Sequence, residues 1–202
     1  MKLFYLIFLL PIITCNHNIR KKPLAKEIEQ VSFNPINSPS FRLSQLEKLK
    51  ATVIVMRERD CPISEKYGPR LVKFEEYYNK KGIKFIFIYV GQVKPKENAK
   101  KDLEKFNFKS PYIIDKNQKI VKALGAKTTG DVFILNSNLK TVYRGPVDDQ
   151  FHVSKSAIKA KNHYVKDVLE KLSNGEKVIP KELLAPGCII SKPIKKKSIL
   201  KI

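Results

Sequence analysis

Two short apolar runs organise the first half of this chain. Ala51-Thr52-Val53-Ile54-Val55-Met56 is one, and the nearly continuous stretch Ile83 to Val90 is the other. Uninterrupted apolar runs of this length fit strands covered on both faces. Between them, Ile63, Tyr67, Leu71, Phe74 and Tyr78 recur at helical spacing and predict a helix over 62–80 with one buried stripe. Gly68-Pro69 lies inside that helix and predicts a kink. A second helix is expected near 96–107, with Ala99, Leu103 and Phe106 on one face. Tyr112 to Asp115 reads as a short extended piece, and 117–124 as one or two helical turns ending at Gly125.

The period then returns to that of strands. Val132-Phe133-Ile134-Leu135 and Leu139-Lys140-Thr141-Val142-Tyr143 flank Asn136-Ser137-Asn138, the pattern of an antiparallel hairpin. A last helix is expected over 155–173, with Ile158, Val165, Val168, Leu169 and Leu172 inward and Asn174-Gly175 as its stop. Upstream, Ser44-Gln45-Leu46-Glu47 has the form of a capping box before one short helix. Parallel strands joined by helices, followed by a hairpin and a closing helix, describe a three-layer α/β domain.

The ends are different. Leu3 to Ile13 is almost wholly apolar behind Lys2, too short to span a bilayer and suited to the core of an export signal. Polar residues with Pro23, Pro35 and Pro39 follow and read as a tether. The expected division is 1–14 signal, 15–40 tether, 41–175 folded domain and 176–202 a tail ending in Lys195-Lys196-Lys197.

Charge adds one question. Forty Lys and Arg against nineteen Asp and Glu give +21. The lysines are spread along the chain, Trp is absent, and no nucleic-acid module or phosphate loop is present, so a nucleic-acid partner is not expected. Anionic lipid or an acidic partner suits the charge better, and a solvated surface is the plain alternative. His17, His152 and His163 are isolated, so no metal site is expected, and nothing calls for a bound cofactor.

The chemistry concentrates at Cys61. It follows the first apolar run and precedes Pro62, a residue favoured in the first turn of a helix. Unpaired N–H groups and the positive end of the helix dipole favour a thiolate there, and the thiolate is the reactive form. Arg57 and Arg59 would lower the thiol's pKa further, and Asp60 would oppose them. Ser64 stands where a local Cys-x-x-Cys motif would place its second thiol. Cys188 is therefore the available mate for Cys61, closing a loop of about 127 residues, worth about 5 kcal/mol by chain entropy. A redox-active pair, a structural cystine and two unrelated thiols all remain open. Asp148 and Asp149 read as solvated turn formers, His152 as a surface residue and Tyr67 as core.

The strand–helix order with a thiol at the first helix start resembles the thioredoxin fold. Three pieces narrow the resemblance: Asp60-Cys61-Pro62, then Arg144-Gly145-Pro146-Val147-Asp148-Asp149, then Gly187-Cys188. In that order they resemble an exported redoxin family of the alkyl hydroperoxide reductase/thiol-specific antioxidant superfamily, over about 41–192. The resemblance implies a central mixed sheet with helices on both faces. It also implies thiol–disulfide exchange at Cys61, with Cys188 as resolving or disulfide partner and a redox protein or disulfide-bearing protein as the other reactant. Pro62, Ser64, Arg59, Thr129 and Gly130 would support the site. Gly130 occupies the usual cis-proline position, and Glu58 stands where peroxiredoxins carry threonine. A non-enzymatic scaffold with a structural Cys61–Cys188 bridge is the second expectation, and a thiol peroxidase the third.

The start of the chain resembles a bacterial lipoprotein signal, with Cys15 as the lipidated residue and Thr14 in place of the usual small residue. The resemblance implies a membrane-anchored protein of the cell envelope facing the periplasm, where disulfides persist. An ordinary export signal implies the same side of the membrane.

Overall fold

The computed structural model describes residues 32–152 and 159–193. Six strands form one mixed sheet in the order β5-β4-β3-β6-β7-β8. They are β3 (Ala51–Arg57), β4 (Ile83–Tyr89), β5 (Tyr112–Ile114), β6 (Val132–Asn136), β7 (Thr141–Gly145) and β8 (Lys181–Glu182). The two apolar runs become the central parallel pair, with Val53 opposite Phe85 and Val55 opposite Phe87. On its other edge β3 pairs antiparallel with β6 and places Val53 opposite Ile134. β3 is buried along its whole length, as its unbroken apolar sequence requires.

Each face of the sheet has its own apolar layer. On one, Val53, Val55, Phe85, Phe87 and Ile134 meet Ile63, Tyr67, Leu71 and Tyr78 of α1 (Pro62–Asn79), Ala99 of α2 (Pro95–Phe106) and Val165, Val168, Leu169 and Leu172 of α4 (Tyr164–Ser173). On the other, Ile54, Met56, Ile86, Ile88, Phe133 and Leu135 meet Ile120 and Val121 of α3 (Lys119–Leu124), together with Phe33 and Leu43. The mixed sheet with helices on both faces is the expected fold.

α1 runs from Pro62 through Pro69 to Asn79, as the spacing of Ile63, Tyr67, Leu71 and Tyr78 predicts. Three local expectations change. Near residue 44 a short 3₁₀ turn, Leu43–Leu46, forms instead of an α-helix, and the Gln45 side chain accepts the Arg42 N–H at 2.7 Å. The last helix begins at Tyr164 rather than 155, because Asp149 accepts the N–H groups of Lys161 and Asn162 at 2.8 and 3.1 Å. Those bonds hold 161–162 outside the helix; Ile158 lies outside the described residues. Finally, the stretch read as tether contributes to the fold. β1 (Ser32–Phe33) pairs with β2 (Phe41–Arg42), Phe33 is buried, and Ile36 donates to the Tyr112 carbonyl at 2.8 Å. Polar residues and prolines masked a single apolar anchor that covers the β5 edge.

Candidate active site

Cys61 is the N-cap of α1, in extended conformation, with Pro62 at the first helical position. Its carbonyl accepts the Glu65 N–H at 3.0 Å, opening the helix ladder. The side chain has no exposed surface. The Thr129 hydroxyl donates to the sulfur at 2.9 Å. The Ser64 backbone and the Cys188 side chain and backbone also favour its ionised form by hydrogen bonding. Burial pushes the Cys61 thiol up, yet these donors together hold it below its ordinary value. Cys188 moves the other way, to about 11, through burial, its bond to Cys61 and the charges of Cys61 and Glu58. The two cysteines are unbridged, and their surroundings push the two sulfurs apart, Cys61 towards easier ionisation and Cys188 away from it.

The tail brings Cys188 there through a single β-bridge. The Thr129 N–H donates to the Cys188 carbonyl and the Ile190 N–H to the Lys127 carbonyl, both at 3.0 Å, and Thr128 bridges Ile189 antiparallel. The Cys188 N–H donates to Thr129 Oγ1 at 3.0 Å. Two glycines allow this approach. A Cβ at Gly130 would overlap the Pro186 carbonyl oxygen, and one at Gly187 would come within 2.7 Å of the Gly130 nitrogen. Glycine at the usual proline position is therefore fitted to the chain's own tail. Further up, β8 pairs in parallel with β7, and the Leu183 N–H donates to the Arg144 carbonyl at 2.8 Å.

The predicted supporting residues divide. Thr129 and Gly130 reach the site. Ser64 reaches it through its backbone N–H; its hydroxyl donates towards the Thr129 carbonyl at 3.5 Å and accepts the Glu58 N–H at 3.2 Å. Pro62 is exposed beside the helix start. Arg59 turns to Asp60 at 3.3 Å on the surface, so it does not supply the field on the thiol. Arg57 is fully buried and binds Asp102 through two nitrogens at 3.0 and 2.7 Å. Its third nitrogen donates to the Ser64 carbonyl. The guanidinium lies 5.0 and 5.2 Å from the Phe106 and Phe108 ring centres. It therefore ties the first turn of α1 to α2, a role that nothing in the local sequence announces.

Asp148 is also corrected. It is buried, accepting the Tyr67 hydroxyl at 2.7 Å and pairing with Arg70, so it is a structural link rather than a solvated turn residue. Its signal is weak in sequence because Tyr67 and Arg70 lie some 80 residues away. Cys15 and the signal lie outside the described residues. Among the described residues, no group of three or more His, Cys, Asp or Glu could hold a metal ion, and no helix is long and apolar enough to cross a membrane.

A mixed sheet with a Cys-Pro at the start of its first long helix defines a thioredoxin-like protein. A structure titled a thioredoxin-like protein in the oxidized form matches with TM-score 0.59 at 10% identity, over 78% of this chain and 98% of that one. The Redoxin family matches residues 32–161, and the chain belongs to that family. An uncharacterized conserved protein from Geobacillus kaustophilus is 30% identical with TM-score 0.72, covering 83% of this chain and 92% of its own. The thiol–disulfide oxidoreductase ResA of Geobacillus thermodenitrificans is 26% identical over 112 residues, 51% of this chain. The match spans 63% of that protein's length.

Proposed function

We propose that this protein is a thiol–disulfide oxidoreductase in which Cys61 and Cys188 alternate between dithiol and disulfide. One observation carries the reading: the Thr129 hydroxyl donates to the Cys61 sulfur at 2.9 Å and accepts the Cys188 N–H at 3.0 Å, which brings the two cysteines to one site. Closing the disulfide joins the two sulfurs and gives up two electrons and two protons to a disulfide-bearing reactant, which leaves as two thiols. Opening it reverses the balance. The similarity to ResA supports this chemistry, and a redox protein or disulfide-bearing protein is the other reactant. No bound cofactor enters the cycle.

The reading extends to the whole chain. Residues 1–14 are an export signal, Cys15 carries the lipid, and the folded part faces the periplasm from a membrane. The domain of 41–175 then acts with the tail of 176–202 as one redox unit.

The complete burial of Cys61 favours a second reading, in which a permanent Cys61–Cys188 bridge locks a binding or scaffold protein. Disulfide reduction assays separate the two. On the redox reading, insulin or partner reduction by the reduced chain is lost in both Cys61→Ser and Cys188→Ser. Activity retained in Cys61→Ser contradicts it. Hydroperoxide consumption by the wild type, lost in Cys61→Ser, would instead make the protein a thiol peroxidase. A mass increase of the size of an acyl group, absent in Cys15→Ala, tests the anchor.

A further inference from the structure

The two sulfurs differ in what can reach them. Cys61 is wholly covered, while Cys188 keeps part of its surface in solvent. The cover is the tail itself, seated along Lys127–Gly130 by two backbone–backbone bonds and by the Cys188 N–H to Thr129 Oγ1, all three at 3.0 Å. Further bonds fasten its flanks: the Thr128 hydroxyl donates to the Ala185 carbonyl at 3.2 Å, and the Gln118 amide to the Ser191 carbonyl. Thiol–disulfide exchange requires the attacking sulfur to approach in line behind the sulfur it attacks. Cys61 is the N-cap of α1 and is buried in the apolar layer that includes Ile63 and Val132. Cys188 is only partly buried against the same layer, and its neighbour Ile189 is exposed.

We propose that a thiol partner exchanges with this protein at Cys188, while Cys61, beneath the seated tail, acts as leaving group and internal attacker. This rests on the reading that the two cysteines form a cycling disulfide. The partner's thiolate attacks Cys188 Sγ. A new partner–Cys188 bond forms, the Cys61–Cys188 bond breaks, and the electron pair leaves on Cys61 as thiolate. A second partner thiolate attacks the partner sulfur of the mixed disulfide. It releases Cys188, which takes up a proton, and the partner departs as a disulfide. Two electrons enter the protein and two partner thiols are oxidised. A sulfur stabilised as thiolate leaves faster, and Cys61 has the donors for that role in Thr129 and Ser64. Cys188, held protonated, then remains as the outward thiol of the reduced form.

The full chain, oxidised to the Cys61–Cys188 disulfide, is mixed with reduced glutathione, quenched in acid at early times and mapped by peptide mass spectrometry. The expected result is glutathione on Cys188 in at least tenfold excess over Cys61. Equal labelling, or an excess on Cys61, overturns the proposal while leaving the redox reading in place. If oxidation yields no Cys61–Cys188 disulfide, the redox reading falls and this inference falls with it. Gly130→Ala and Gly187→Ala, whose added methyl groups displace the seated tail, should each move label towards Cys61 severalfold. An unchanged distribution in the variant that folds contradicts the tail as the cause.

Discussion

Thr129 holds Cys61 by a hydroxyl bond of 2.9 Å to its sulfur, while the same oxygen accepts the Cys188 N–H at 3.0 Å. One side chain thus links the helix-start sulfur to the tail segment that carries its mate. A hydrogen bond to a charged group contributes about 1.5–3 kcal/mol. Thr129→Val should therefore raise the Cys61 pKa by roughly one to two units. Ultraviolet absorbance of the thiolate against pH reads the shift, and an unmoved titration would contradict the assigned donor.

The two thiols should titrate apart. Cys61 is expected to ionise below the ordinary thiol value of 9.0 and Cys188 at about 11. In Cys188→Ala the upper step disappears and the lower one moves up, since the Cys188 thiol is one of the donors to Cys61. The stability of the reduced protein follows from the signs. The depressed Cys61 contributes stability that is present above 9.0 and lost as pH falls through its folded value. The raised Cys188 contributes stability present below 9.0 and lost as pH rises through about 11. The stability difference between reduced wild type and the variant with both cysteines changed to serine should therefore peak near pH 9. A difference flat across that range would refute the opposed shifts.

Breaking the buried pair beneath the site should destabilise the whole fold. Asp102→Ala leaves Arg57 charged and fully buried without its carboxylate. The loss is expected at about 3–5 kcal/mol in denaturant unfolding. A loss under about 1 kcal/mol, the scale of a surface pair, would mean that the pair does not anchor the first turn of α1.

How the chain reads in advance depends on the distance between partners. The β3 and β4 runs, the α1 stripe and the Cys61-Pro62 helix start are local patterns, and each matches the structure closely. Phe33 was hidden because one apolar residue among polar ones has no period. Arg57 and Arg59 together predict a field on the thiol, but burial commits Arg57 to Asp102, 45 residues away. Ser64 was legible as a site residue, though its contribution comes through the backbone, which no side-chain pattern encodes. Gly130 read as a missing proline. Its close contact with Pro186 could be seen only after the fold placed the tail beside it.

The central claim is that Cys61 and Cys188 cycle. Their reduction potential, measured by equilibrating the full chain with glutathione redox buffers, tests it most directly. A stabilised Cys61 thiolate favours the reduced form and makes the disulfide oxidising. A reversible two-electron couple is expected at about −200 to −250 mV, within the glutathione range. A potential below about −300 mV would identify a structural bridge and contradict the account.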